Sequence, residues 1–349
     1  MSEFIDAFVN GGRPVEETEW DSFWERLRSG KPVPGEAAAV LAGLSARRPE
    51  AATLSALLAS LDMERRLEEA GPFPDTVNIV GTGGGPRTFN VSVAAALVAA
   101  ATGVRVLKTG SRAYTSGVGS VDLLGFLGIP LTTSHAQTRE FLDRHGVAFP
   151  GGFVFPTELA LLARSVYPLD MRTVGRFVSR VGPLLAAVPT TAQVTGVSEP
   201  ALADLLLHAA RRSGRALWLC SNDLGVDELL SFRTNTVRGT GGNTYDLDGG
   251  ALGLTPGSLD DLRPVEGREA VARDFVRLLG GGRSRVATET VCLNAAALAR
   301  ANGQPGSWPD LVDIAADAVY SGAAVRLLHE LRETTGTRSG PPPVPEVAS

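Results

Sequence analysis

Cysteine is scarce in this chain. There are two among 349 residues, Cys220 and Cys292, both inside apolar runs ("ALWLC", "TVCLN"). That excludes a disulfide-stapled scaffold and reads as reduced core thiols in a cytoplasmic protein. Histidine is nearly as rare, with four residues (His135, His145, His208, His329), and no Cys/His cluster has the spacing of a zinc site. Each histidine reads as a helix surface or boundary residue. His135, placed after an expected strand end, falls nearest to the expected cleft. Basic excess is missing too: Lys and Arg total 33 against 38 Asp and Glu, a formal net charge of -5. This argues against a nucleic-acid partner. No apolar run approaches the roughly 20 residues of a membrane helix. The start, "MSEFIDAFVNGG", lacks the basic n-region of a signal peptide. No membrane partner is expected. What remains is 44% hydrophobic content, enough for one large domain or two unequal ones.

The first 72 residues read as helices. "ETEWDSFWERLRSG" has apolar residues at i, i+3, i+4, and an Ala/Leu-rich stretch follows, broken at Pro49. This predicts a small helical domain, with helical segments returning near 157–182, whose exposed apolar face would suit a dimer interface. From residue 75 strands alternate with helices: "TVNIVGTGGG", "VSVAAALVAAATG", "VRVLKTGSR", then "SVDLLGFLGIPL" leading towards a further strand. "AQVTGVS" and "RALWLCSN" continue the pattern, and the Thr/Gly/Asn-rich residues 233–255 suggest β-ribbons or loops. Such alternation predicts an α/β fold, a parallel-type central sheet flanked by helices, over 75–156 and 183–335. The Pro/Ser-rich residues 336–349 have no apolar periodicity and read as a disordered tail.

Two turns carry chemistry. In "VNIVGTGGGPRTFNVS", Gly81, Gly83, Gly84 and Gly85 follow a strand and let backbone N–H groups converge. Thr88, Asn90 and Ser92 add donors where the next helix begins, and a helix N-terminus favours an anion. Pro86 stands where a dinucleotide fingerprint needs its last glycine, and no G-K-[ST] is present. Phosphate or pyrophosphate is the expected guest, a plain tight turn the alternative. The second turn, "LKTGSRAYTSGVGSVD", supplies Lys108, Gly110, Ser111, Ser116 and Ser120. Two donor-rich turns on adjacent parallel strands would face one cleft at the carboxyl edge of the sheet. Further on, "LGVDELL" sets Asp227 beside Glu228 in a glycine-bearing loop, which suits a cation-binding site or a solvated acidic turn.

"GTGG…TFNVS", "KTGSRAYTSGVGSVDLLGFLG", "GPLL", "GVDEL" and "TVCLNAAALA", in this order, resemble the anthranilate phosphoribosyltransferase family over nearly the whole chain. The resemblance implies that fold, a homodimer through the helical domain, and 5-phosphoribosyl 1-diphosphate (PRPP) as donor with Mg²⁺ as cofactor. Gly81, Thr82, Gly83 and Gly84 match the loop that embraces pyrophosphate and ribose. Asn90 and Ser92 match positions holding phosphate and the metal shell, with Val93 where the family usually has threonine. Lys108 matches the phosphate-binding lysine, Ser120 lies in the segment that closes over the ligand, and Asp227 and Glu228 match the acidic pair that holds Mg²⁺. A pyrimidine nucleoside phosphorylase of similar architecture would lack the support of "GPLL" and "LNAA".

Acceptor features depart from the family. Its K-H-G-N-R becomes Lys108-Thr109-Gly110-Ser111-Arg112, which offers Thr109 and Ser111 to the acceptor, and Tyr114 is bulkier than usual. Gly85 stands where the first loop has aspartate, and the loop is one residue shorter. The acceptor-binding arginine of the family is best matched by Arg172, with Arg176 and Arg180 as rivals. Donor features kept and acceptor features lost predict phosphoribosyl transfer to a small acceptor other than anthranilate, such as a hydroxyl of an amino sugar or aminocyclitol in antibiotic biosynthesis. Glu158 and Asp170 would then be acidic partners for a cationic acceptor, a solvated helix face being the plainer reading of each. The alternatives are a genuine anthranilate phosphoribosyltransferase of tryptophan biosynthesis and a non-catalytic, nucleic-acid-binding relative. No general base is singled out.

Overall fold

Burial on both faces of residues 76–80, with Val77 and Ile79 on one and Thr76, Asn78 and Val80 on the other, places that segment in the middle of a sheet. The computed structural model describes residues 3–11, 13–110 and 118–336. Helices α1 (Glu3–Val9), α2 (Glu17–Arg28), α3 (Glu36–Ala46), α4 (Ala51–Ser60) and α5 (Met63–Ala70) come first. Besides the break at Pro49, a second one falls between α4 and α5, where Asp62 takes a left-handed conformation (φ 53°).

The α/β part begins with β1 (Phe73–Gly81), α6 (Val91–Ala101), β2 (Arg105–Lys108), α7 (Ser120–Leu127), α8 (His135–His145) and β3 (Val147–Ala148). The chain then returns to helices α9 (Glu158–Ser165), α10 (Met171–Val174) and α11 (Arg176–Leu185) before β4 (Thr190–Gly196), α12 (Ala203–Arg212), β5 (Leu217–Asn222), β6 (Thr234–Gly239) and β7 (Thr244–Asp248). Helices α13 (Arg268–Leu279), α14 (Arg285–Ala301), α15 (Trp308–Tyr320) and α16 (Ala323–Gly336) finish it. The strand expected soon after "LGIPL" is reduced to a single bridge between Thr132 and Pro150; α8 intervenes before β3.

The strands form one seven-stranded sheet of order β3-β2-β1-β4-β5-β6-β7. The first five run parallel, and β6 and β7 add an antiparallel ribbon, as the Thr/Gly/Asn-rich segment suggested. Because β2 lies on one side of β1 and β4 on the other, the connections diverge at β1. A crevice therefore opens beyond its carboxyl end, the usual ligand position in such sheets. The register brings Ile79 beside Lys108, Gly81 beside Gly196, and Gly196 beside Cys220.

Two main cores support this edge. One packs the sheet against α6 and α13 to α16; the Ala-rich faces of α6 and α14 are buried over most of their length, so small side chains let the helices lie close. The other joins α1 to α4 with α9, α11 and α12. Phe4, Phe8, Trp20, Phe23 and Trp24 interlock there with ring centroids 4.9–6.0 Å apart. No helix among the described residues is long and apolar enough to cross a membrane.

Candidate active site

A cleft of about 810 Å³ lies at the carboxyl edge of β1, β2 and β4, reaching across to α9 and α11. Its two ends differ in chemistry.

At the sheet end, the turn after β1 folds onto the acidic turn after β5. Gly83 and Gly84 have φ of 64° and 86°, which favours glycine. Gly83 donates its backbone N–H to Asp227 Oδ2 at 2.8 Å. A Cβ on Gly81 would lie 2.1 Å from Asp227 Oδ2, and one on Gly85 would lie 2.2 Å from the carbonyl oxygen of Gly225. The aspartate that Gly85 replaces therefore cannot sit on this backbone; the glycine belongs to a tighter loop. Thr82 lines the cleft with its neighbours, but its hydroxyl accepts from the Ser198 N–H at 3.2 Å. Ser198 in turn donates to the Gly83 carbonyl at 2.6 Å.

Asp227 and Glu228 both line the cleft. Thr88 Oγ1 sits 3.4 Å from each Glu228 carboxylate oxygen. Three buried or nearly buried asparagines hold the turn. Asn222 donates to the carbonyls of Val226 and Glu228 (3.0 and 2.8 Å), Asn294 brackets both backbone groups of Leu229, and Asn235 brackets those of Leu230. Burial raises both carboxyls, Glu228 well above the usual range and further through the adjacent Asp227. Lys108 is buried beside them, donates to the Thr109 carbonyl at 2.6 Å, and is brought down to about 8 by burial, against the pull of both carboxylates. Two carboxylates share this end with Lys108 and the exposed Arg87. Hard oxygen donors facing open space in such a place suit Mg²⁺, which takes one or two carboxylates and completes its shell from phosphate and water.

Asn90 occupies the N-cap position of α6 and donates to the Val118 carbonyl at 3.3 Å, and Ser92, the second residue of that helix, opens on the cleft. Ser120 begins α7; a Cβ on Gly110 would lie 3.0 Å from its hydroxyl and 3.3 Å from Lys108 Nζ, so these groups crowd one point. The expected residues Gly81, Thr82, Gly83, Gly84, Thr88, Asn90, Ser92, Lys108, Ser120, Asp227 and Glu228 are thus brought together.

The acceptor residues fare differently. Thr109 is fully buried and faces away from the cleft: its N–H and hydroxyl both donate to Asn78 Oδ1 at 3.1 Å. Successive side chains alternate across a strand, so Lys108 entering the cleft sends Thr109 under the sheet edge. There it joins a buried chain in which Asn78 donates to Gln193, and Gln193 donates to Thr195 and to the Pro183 carbonyl, all at 3.0 Å. Ser111 lies outside the described residues, as does the side chain of Arg172, whose backbone belongs to α10. Arg180 is buried, bound to Glu199 and to the Ser45 carbonyl, and Arg176 also approaches Glu199, at 3.9 Å; neither lines the cleft. Asp170 caps α10, accepting from Thr173 N–H at 2.9 Å. Glu158 is neither solvated nor free: it is buried between Arg28 and Arg66, at 2.8 and 3.1 Å. His135 packs edge-on against Phe153, with centroids 4.9 Å apart, behind the cleft wall rather than in it. His208 and His329 are exposed. Cys220 and Cys292 are free and buried, both thiols pushed up to about 12 by desolvation.

At this far end the wall is apolar, built by Phe153, Phe155, Pro156, Leu159, Val178 and Pro183, with Arg66 beside it. Sequence reasoning missed Arg66, the aromatic pair and the three asparagines. "LNAA" held Asn294 in plain view as a buried polar residue inside an apolar helix, a pattern that asks for a partner.

The sheet and its switch-point cleft are of the α/β class, and the family that the chain matches makes it a glycosyltransferase. Residues 73–325 match the Glycosyl transferase family, a/b domain. The chain is 34% identical over 327 residues, 90% of its own length and 94% of the relative's, to anthranilate phosphoribosyltransferase 2 of Streptomyces coelicolor. Among solved structures it resembles the anthranilate phosphoribosyltransferase of Thermus thermophilus (TM-score 0.76, 30% identity, 95% of this chain and 99% of that one). In fold it also resembles the Saccharomyces cerevisiae anthranilate phosphoribosyltransferase in complex with PRPP and Mg (TM-score 0.68, 22% identity, 93% and 99% covered). The chain belongs to the anthranilate phosphoribosyltransferase family, and it is a phosphoribosyltransferase.

Proposed function

We propose that the protein transfers the 5-phosphoribosyl group from PRPP to anthranilate, with release of pyrophosphate. The observation that carries this reading is the polarity of the cleft: a phosphate-and-cation end on the sheet edge and an apolar wall with one cation, Arg66, opposite. A cationic aminocyclitol acceptor would ask for free carboxylates on that wall. Glu158 is already neutralised by two arginines, and Thr109 is turned away. A flat aromatic carboxylate fits such a surface, and the similar enzymes are anthranilate phosphoribosyltransferases. The reading of an amino-sugar acceptor in antibiotic biosynthesis is therefore set aside, and so is that of a nucleic-acid-binding relative, since the acidic pair is intact.

In this assignment the backbone N–H groups of the Gly81–Gly84 turn, the α6 start with Asn90 and Ser92, and Lys108 hold the pyrophosphate and 5-phosphate. Ser120 closes over them. Asp227 and Glu228, with Ser92 in its shell, would hold Mg²⁺, which supplies charge neutralisation for the leaving pyrophosphate. The amine nitrogen of the acceptor forms a bond to ribose C1 while the C1–O bond to pyrophosphate breaks and that oxygen keeps the electron pair. Configuration at C1 inverts, and the new ammonium centre loses one proton. An amine supplies its own lone pair, so positioning and stabilisation of the departing anion dominate. Ser111 and Arg172 stay assigned to the acceptor side, and a homodimer through the N-terminal helices is part of the same proposal.

The test is pyrophosphate release from PRPP and Mg²⁺ with anthranilate and, in parallel, with a panel of amino-sugar acceptors. Turnover confined to anthranilate is expected. Turnover with an amino sugar alone would restore the polyol acceptor; no turnover and no PRPP binding would remove the enzyme assignment.

A further inference from the structure

Arg66 has no counterpart among the positions that the resemblance supplies, and it occupies an unusual electrostatic setting. It stands on α5, in the N-terminal helices, yet it lines the cleft beside Phe153 and Leu159. Its Nε donates to the Leu61 carbonyl at 2.9 Å, fixing the plane of the guanidinium. Its Nη2 donates to Glu158 Oε2 at 3.1 Å, while the other oxygen of Glu158 accepts from Nε and Nη2 of Arg28 at 3.2 and 2.8 Å. One buried carboxylate thus serves two guanidiniums and leaves a surplus positive charge. Arg28 is the more exposed partner (43% against 27%) and does not reach the cleft. The surplus therefore faces the cleft through Arg66, whose Nη1 makes no hydrogen bond among the described residues. An oriented guanidinium with a free edge beside an apolar aromatic wall is built to receive a planar carboxylate.

We infer that Arg66 binds the carboxylate of the acceptor and sets specificity for an aromatic acid, with Glu158 as the positioning residue that holds its plane. The inference rests on the acceptor reading above. It adds an acceptor-side cation on the N-terminal helices to the α10 position of Arg172, while Arg176 and Arg180 are tied to Glu199.

Steady-state kinetics of Arg66→Gln and Arg66→Lys test it. A lost charge-assisted pair should raise the KM for anthranilate about tenfold to a hundredfold, leave the KM for PRPP within about twofold, and be partly rescued by lysine. Arg28→Gln perturbs the same buried carboxylate without touching the cleft; its anthranilate KM should stay within about threefold of wild type, and circular dichroism checks that every variant folds. Wild-type anthranilate KM in both Arg66 variants, or an equal rise in Arg28→Gln, overturns the inference. If the wild-type protein does not use anthranilate, the acceptor reading fails, and binding of benzoate with Mg-pyrophosphate present decides for Arg66. Benzoate held by wild type and lost in Arg66→Gln sustains it. No benzoate binding, or binding unchanged by the substitution, overturns it.

Discussion

The two ends of the cleft are made of different materials. At the sheet end, backbone does the work: glycines too crowded to bear a Cβ, a helix start, and an acidic turn fastened by three asparagines. At the helical end, side chains do it: two phenylalanines, a leucine and Arg66 on an apolar wall. Backbone geometry tolerates few substitutions, whereas a wall of side chains can be exchanged one residue at a time. Donor chemistry should therefore be brittle here and acceptor preference plastic.

The sharpest way to break that contrast is to remove the acidic pair. Asp227→Ala with Glu228→Ala should abolish Mg²⁺-dependent PRPP binding and lower kcat/KM by at least about a thousandfold, read by calorimetry and pyrophosphate release. Because burial raises both carboxyls, the folded state favours their protonated forms. Unliganded stability from this pair therefore falls as pH rises from the ordinary carboxylate range through the raised values. The double variant should keep its melting temperature at neutral pH even as activity disappears. Unchanged PRPP binding would show that the cation site lies elsewhere.

Restoring the aspartate that the family carries is a subtler challenge. Gly85→Asp forces a Cβ against the Gly225 carbonyl. It should cost about 1–3 kcal/mol of stability and raise the KM for PRPP, in thermal melts and kinetics respectively. A variant with wild-type values for both would mean that the loop has room it does not show here.

Lys108 makes the sheet end sensitive to pH. Its ammonium is held near 8, so the protonated form that attracts phosphate is lost as pH rises past that value. The KM for PRPP should climb by up to about tenfold per pH unit above it, and Lys108→Met should raise KM throughout while erasing the inflection. In stability the sign is opposite: between about 8 and the ordinary lysine value the unfolded chain binds the extra proton, so this group's contribution grows with pH. A flat KM profile up to about pH 10 in the wild-type protein would separate Lys108 from the phosphate. Smallest of all, Phe153→Ala should raise the anthranilate KM only about threefold to tenfold and leave the PRPP KM alone, because the ring is already 37% exposed. A comparable change in both constants would dissolve the distinction between the two ends.

The sheet end was the readable one. Gly81 to Gly84, Lys108 and the Asp227/Glu228 pair stand in short runs whose spacing carries their geometry, and the alternation of strands and helices located the edge they share. The helical end was not readable in the same way. Arg66 meets Glu158 across 92 positions, and nothing local in "MERRLEEA" distinguishes it from Arg65, which pairs with Asp62 and Glu69 at the surface. Thr109 leaves the acceptor side for a simpler reason: the strand turns alternate residues to opposite sides, which a motif read as a string does not show. Gly85 departs from the family pattern because of the Gly225 carbonyl, a neighbour 140 positions away that no local motif contains.

The buried chain from Thr109 through Asn78 and Gln193 to the Pro183 carbonyl ties the turn bearing Lys108 to α11, whose Pro183 faces the opposite end. Its amides have no water to fall back on, so no link can part without leaving a buried donor or acceptor alone. α11, which shares a core with α1 to α4, is thereby pinned to the sheet as well, so the chain resists any separation of the two ends of the cleft along α11. In hydrogen exchange, the Thr109 N–H, which ends on the buried Asn78 Oδ1, should be among the slow amides of this edge.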